Sequence, residues 1–299
     1  MTDTTHQEGP AREDVRDQGL TIDCPDGRQL AARLFQPAQG AATVAIALHG
    51  ATGVPRDYYA RFAAWLAAHR RAAVLIYDYR DCGHSARGPV RQARATMGDW
   101  AVIDQAAALD CLIARYPDLP LEVIGHSLGG MGLLFHAQAG RVRQMTTVCT
   151  GPDHWARHPP HFIGKAMSFW FVLGPIATAL LGYMPGRLLG QGADLPAAAF
   201  WQWRRWCTRR AFHRAEWGRG LPQPDLSRMK GRVRLLAVAD DEMIPPAVVR
   251  DYAAFFPAAK VEHEVIDPKA AGLRTIGHLR VFSERCRDVW PTLAVGGQG

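Results

Sequence analysis

Leu20, Ile22 and Cys24 alternate with polar residues, and so do Leu30, Ala32 and Leu34 on the far side of a Pro25-Asp26-Gly27 turn. That period of two predicts a β-hairpin with one buried face, at the edge of a sheet. From residue 43 the pattern changes. Residues 43–48, 73–77, 121–124 and 142–148 are short, almost continuous apolar runs, as strands covered on both faces require. Between them, residues 56–69 and 97–115 carry apolar positions at helical spacing. Strand and helix in alternation predict an α/β protein with a mostly parallel sheet and crossover helices. The alternation stops at 151, where prolines and glycines (Pro159-Pro160, Gly174-Pro175, Pro185-Gly186) cut the chain into short helices, and resumes with a strand at 233–238. A helix at 246–256, a strand at 261–266 and a helix from 278 to 290 complete it. The expected organisation is a disordered tail at 1–19, a core made of 20–150 and 227–295, a helical cap inserted at 151–226, and a loose end at 296–299.

The apolar run that begins at Leu121 ends at Gly125, a serine follows at 127, and helical spacing starts at Leu128. Strand, sharp turn and helix around Gly125-His126-Ser127-Leu128-Gly129 are the pattern of a nucleophile elbow, in which a strained serine projects its hydroxyl above the sheet edge. The residues two positions either side crowd the backbone, so glycine is needed at both. A serine nucleophile needs a base, and the base needs a carboxylate to orient it; in this arrangement both come later in the chain, acid before base. Asp241, just after the strand at 233–238, and His278, in the loop after the last strand, fit that order. Asp240 is read as a turn or cap residue. The oxyanion hole is expected from the backbone N–H groups of Leu128 and, in the loop after the strand at 43–48, Ala51. His49 is read as a buttress of that loop, and His126 as a neighbour of the site rather than its base. Asp153, His154, His158 and His161 have metal-like spacing, but Pro159-Pro160 breaks any helix that would align His158 with His161, so no metal is expected there.

Composition narrows the picture. The net charge is +7 with a pI of about 9.3, supplied almost entirely by arginine, which favours anionic partners without specifying a fold. Six scattered cysteines without a C-x-x-C pair are read as reduced thiols, and the polar first 17 residues lack a signal-peptide apolar core, so a cytoplasmic location is expected. Residues 166–184 carry no charge and are long enough to cross a bilayer. A single span there would separate Ser127 from Asp241 and His278, which must touch, so the run is expected to form a cap or an interfacial segment. Trp201, Trp203 and Trp206 lie among Arg204, Arg205, Arg209 and Arg210. A plain cap helix whose arginines lie over tryptophans is favoured, with a cap that touches membranes next and nucleic-acid binding not expected.

Taken together, His49-Gly50-Ala51-Thr52-Gly53, Tyr77-Asp78-Tyr79-Arg80, Gly125-His126-Ser127-Leu128-Gly129-Gly130, Asp241 and Gly277-His278 resemble the α/β-hydrolase superfamily, near its serine aminopeptidase and lysophospholipase-like branch. The resemblance implies an α/β-hydrolase fold with a helical cap, no cofactor, and Ser127, His278 and Asp241 as a triad. Asp81 departs from the family, which has glycine there; aspartate tolerates a left-handed backbone, so the turn is expected to be kept. The expected activity is hydrolysis of an ester, thioester or related acyl bond in an apolar, lipid-like small molecule. The alternatives are an acyltransferase or amide-cleaving enzyme with the same triad, and a non-catalytic lipid-surface binding protein. Acyl length and oligomeric state are not legible.

Overall fold

A computed structural model describes residues 14–295. Eight strands form one sheet: β1 (Val15–Asp23), β2 (Gln29–Pro37), β3 (Val44–His49), β4 (Ala72–Tyr77), β5 (Leu121–His126), β6 (Val142–Val148), β9 (Arg232–Val238) and β10 (Lys260–Ile266), in the order β1-β2-β4-β3-β5-β6-β9-β10. The hairpin β1–β2 pairs in the expected register, Ile22 opposite Leu30, and sits at the edge, antiparallel to β4; every pair from β4 to β10 is parallel. β1 starts at Val15, so residues 15–19 belong to the sheet rather than to a tail. The rest of the expected tail, 1–13, and the expected loose end, 296–299, lie outside the described residues.

β3, β4 and β5 are buried along their whole length because helices cover both faces. On one side α1 (Ala60–Arg70) and α7 (Trp290–Ala294) pack Phe62, Leu66 and Trp290 on Ile46 and Val74; on the other α2 (Gln105–Arg115) packs Ala108 and Leu112 against Ala47 and Val123. Asp81 has φ +60°, and its carboxylate accepts the Arg94 and Ala95 N–H groups at 3.2 and 3.1 Å while pairing with Arg28, so the turn is kept and its surface changed.

Between β6 and β9 the chain forms α3 (Pro160–Ser168), a π-turn (Phe169–Leu173), α4 (Gly174–Leu181), the two-residue strands β7 (Tyr183–Met184) and β8 (Leu195–Pro196), and α5 (Ala197–Cys207). Gly174-Pro175 does not cut this segment as the sequence pattern predicts: Pro160–Leu181 runs as one helix. The widened turn just before Pro175 absorbs a residue that cannot donate to the helical ladder. A second difference follows Ser127, where two 3₁₀ turns, Ser127–Gly130 and Gly132–Phe135, replace the expected α-helix. Glycines at 129, 130 and 132 make an α-helix poor there, each costing about 1 kcal/mol relative to alanine. α6 (Pro246–Asp251) and a 3₁₀ turn (Tyr252–Phe255) stand where the helix after β9 is expected.

Candidate active site

β5 delivers Ser127 to the carboxyl end of the sheet with φ +53°, in the left-handed region a non-glycine residue enters only under constraint. The constraint is legible in its neighbours. A Cβ on Gly125 would lie 2.4 Å from the Gly129 carbonyl oxygen, and one on Gly129 would lie 2.1 Å from that of His49. The turn is then pinned by buried polar groups that the sequence pattern did not single out. Gln105 on α2 donates to the Leu128 carbonyl at 3.1 Å and accepts the Gly132 N–H at 2.9 Å. The Thr150 hydroxyl donates to the Ser127 carbonyl at 2.8 Å, and the Tyr252 hydroxyl to that of Gly130 at 3.0 Å. The available signal was a polar glutamine on the apolar face of a helix.

Asp241 and His278 come together. His278 Nδ1 lies 2.7 Å from Asp241 Oδ2, while Asp241 Oδ1 accepts the Met243 and Ile244 N–H groups at 2.8 and 2.9 Å. Burial opposes charge on Asp241, but its bonded neighbours, His278 first, prevail and hold its carboxyl below the usual range. With Nδ1–H given to the carboxylate, His278 Nε2 is the nitrogen free to take a proton. Asp240 points elsewhere: it accepts the Thr275 hydroxyl at 2.6 Å and the Ile276 and Gly277 N–H groups at 3.0 and 2.8 Å, tying down the loop that carries His278. Cys149, Asp241 and His278 offer three ligand atoms within 4.8 Å of one another. Burial pushes the Cys149 thiol well above its ordinary value, however, so it stays protonated and donates to Asp241. The trio fits a carboxylate collecting hydrogen-bond donors better than a metal centre.

The oxyanion assignment needs a correction. The Ala51 N–H donates to the Tyr59 hydroxyl at 2.8 Å, so it is not free to meet a developing oxyanion. Tyr59 in turn lies 2.8 Å from His126 Nδ1, and His126 Nε2 lies 3.0 Å from the His278 backbone carbonyl. Burial lowers His126 to about 3, so it is neutral; its Nε2 must donate to the carbonyl and its Nδ1 must accept from Tyr59. One chain of hydrogen bonds thus links the Ala51 loop, the elbow and the His278 loop, and His126 serves as a brace. The next residue, Thr52, lines the same cavity as Ser127 and Ala51, and its N–H has no partner among the described residues. Leu128 N–H opens the 3₁₀ turn after the serine. His49 bonds the Tyr77 hydroxyl through Nδ1 at 2.7 Å and stays neutral, lowered to about 3 by burial.

Ser127 and His278 open into a cavity of about 540 Å³ whose far wall is built by the inserted segment: Phe162, Trp170, Leu173, Trp203 and Trp206. Asp153, His158, Lys165, Ser168 and Gln191 are polar members of the lining. Asp153 Oδ1 is buried without a partner, and Oδ2 stands 3.6 Å from His158 Nε2. Burial, with the nearby Asp241 charge second, pushes its carboxyl up to about 8. His158 donates Nδ1–H to the Glu242 carbonyl at 3.0 Å, and burial lowers it below the ordinary histidine value. His154 and His161 do not join them; His161 pairs with Glu242 at the surface.

A family model described as the alpha/beta hydrolase fold matches residues 46–174. Among solved structures, the esterase domain of a Rhodothermus marinus protein superposes with a TM-score of 0.54 at 19% identity, covering 93% of this chain and 96% of that one. A hyperthermophilic esterase from Pyrobaculum calidifontis gives 0.58 at 16% identity, over 93% and 84%. A hypothetical protein from Pseudomonas aeruginosa gives 0.60 at 17% identity, over 98% of both chains. No curated protein matches in sequence. The sheet order, the strained serine after β5 and the family match over residues 46–174 show an α/β-hydrolase fold.

Proposed function

We propose that the protein is a serine hydrolase that cleaves an ester or related acyl bond of an apolar substrate. The observation that carries this reading is the strained Ser127 on the wall of one cavity with a His278–Asp241 pair at 2.7 Å. Ser127 Oγ attacks the acyl carbon as His278 Nε2 takes its proton. Asp241 holds the imidazole in that tautomer and stabilises the imidazolium that forms. The tetrahedral oxyanion is met by Leu128 N–H and by the Thr52 amide, in place of Ala51. The imidazolium then protonates the leaving alcohol, and water, activated by the same nitrogen, releases the acid. The inserted segment acts as a cap whose aromatic wall takes the acyl chain and excludes water. The esterase neighbours support the class of reaction by fold alone.

One kinetic series tests this: p-nitrophenyl esters from acetate to octanoate, with the native protein and Ser127→Ala. Each methylene buried against the aromatic wall contributes up to about 0.8 kcal/mol, so kcat/KM is expected to rise by up to about fourfold per methylene until the cavity is full. Ser127→Ala is expected to fold and lose on the order of 10⁴-fold or more. Retained turnover in a folded Ser127→Ala protein removes the nucleophile. A flat or falling series removes the apolar acyl site.

A further inference from the structure

The helix Pro160–Leu181 is held down by one narrow stripe. Ala166, Trp170, Gly174 and Thr178, four residues apart, are buried, and a Cβ on Gly174 would lie 2.6 Å from the Phe200 ring of α5. Much of the rest of its surface is apolar and open: Met167, Phe171, Val172, Ile176 and Leu180 are 43–80% exposed. With only 22% of its most apolar stretch buried, the helix leaves a face that has no partner among the described residues. It does not cross a bilayer, because Ser127, before it in sequence, and His278, after it, line one cavity.

The net charge of the molecule falls in the stretch of chain that carries this face. Residues 154–224 hold nine arginines and lysines against two carboxylates, Asp194 and Glu216. That surplus of seven equals the net charge of the whole chain, so the remainder is balanced. No carboxylate occurs from 154 to 193. Cations frame the apolar ridge: exposed Lys165 lies on α3, Arg91 beside Gly182 at the end of α4, and Arg187 just beyond it. The Arg204 guanidinium lies over the Phe171 ring at 5.5 Å.

We propose that this face docks on an anionic lipid bilayer, with Pro160–Leu181 lying in the plane of the interface. Its apolar side chains enter the acyl boundary and the surrounding cations meet headgroup phosphates. A second copy of the chain is the poorer occupant, since pairing this face with itself would set two strongly basic segments against each other. Docking needs no catalysis, so its failure and that of the proposed hydrolysis are separable: Ser127→Ala protein is expected to bind as the native chain does.

The test is co-sedimentation with vesicles of phosphatidylcholine, with and without phosphatidylglycerol, at about 50 and about 500 mM NaCl, where screening lengths differ severalfold. Binding is expected to the anionic vesicles, at least tenfold weaker at high salt. The exposed double variant Ile176→Asp with Leu180→Asp is expected to lose at least tenfold of it at low salt while keeping the native circular dichroism. Should that pair misfold, replacing Arg91, Lys165 and Arg187 by serine gives a second measure and is expected to weaken anionic binding at low salt. No binding to anionic vesicles at low salt overturns the proposal, as does binding that folded variants leave unchanged. A concentration-dependent dimer split by the aspartate pair would give the face to a second copy and also overturn it.

Discussion

Asp153→Asn is expected to stabilise the protein, and increasingly so as pH rises. Asp153 sits in the cavity wall with one oxygen unpartnered and its carboxyl pushed up to about 8. Unfolding returns it to about 3.8, where it ionises freely. An acid whose folded pKa is raised binds its proton more tightly in the native state, so its contribution is most favourable below about pH 4. That contribution is lost as pH climbs toward 8 and is flat above. Each pH unit in that window shifts the balance toward the unfolded chain by about 1.4 kcal/mol, or on the order of 4 kcal/mol between pH 5 and pH 8. Asparagine is isosteric with the protonated acid and does not ionise, so the variant escapes this slope. With a urea m-value of about 3 kcal/mol per molar for a chain of this size, the midpoints of variant and native protein should separate by roughly a further 1.4 M between those pH values. The assay is urea unfolding followed by tryptophan fluorescence at pH 5, 6, 7 and 8. A constant gap, or a variant less stable at pH 8, would show that Asp153 is ionised in the fold and paired with His158, and would refute the reasoning.

The division of labour between the adjacent aspartates can be separated by kinetics. Asp241→Asn is expected to lower kcat by on the order of 10⁴-fold by reversing the tautomer of His278, whereas Asp240→Asn, which loosens the 275–277 loop, is expected to cost about 10²-fold or less; the reverse ranking would exchange their roles. Gly129→Ala brings a methyl to 2.1 Å from the His49 carbonyl oxygen, so a loss of on the order of 3 kcal/mol or more, or failure to fold, is expected in thermal melts. A native-like melting temperature for that variant would show that the elbow has room to shift.

Legibility differed with the physics involved. The parallel core could be read because β3, β4 and β5 are buried on both faces, which demands unbroken apolar runs. The elbow could be read because Gly125 and Gly129 abut backbone atoms that leave no space for a side chain. The meeting of Asp241 with His278 could be anticipated from chain order and strand ends. The Ala51 amide was not, because its partner, the Tyr59 hydroxyl, lies on the turn leading into α1, and a backbone N–H carries no mark of whether it is already bonded. Gln105, Thr150 and Tyr252 escaped for a related reason: each braces the elbow through a carbonyl, and nothing in a residue's type tells which carbonyl it will find. The continuity of Pro160–Leu181 was hidden by Pro175, whose local effect the widened turn cancels.

β6 and β9 are neighbours in the sheet, with Val148 opposite Leu236, although 83 residues separate the end of one from the start of the other (149–231). The chain leaves and re-enters the core at adjacent strand ends, so the length and content of what lies between are not tied to sheet register. Closing a longer excursion costs little, about 0.6 kcal/mol for each doubling of length. The wall facing Ser127 can therefore be recut, lengthened or exchanged while the elbow and the His278–Asp241 pair keep their places, which gives one scaffold a replaceable side to its cavity.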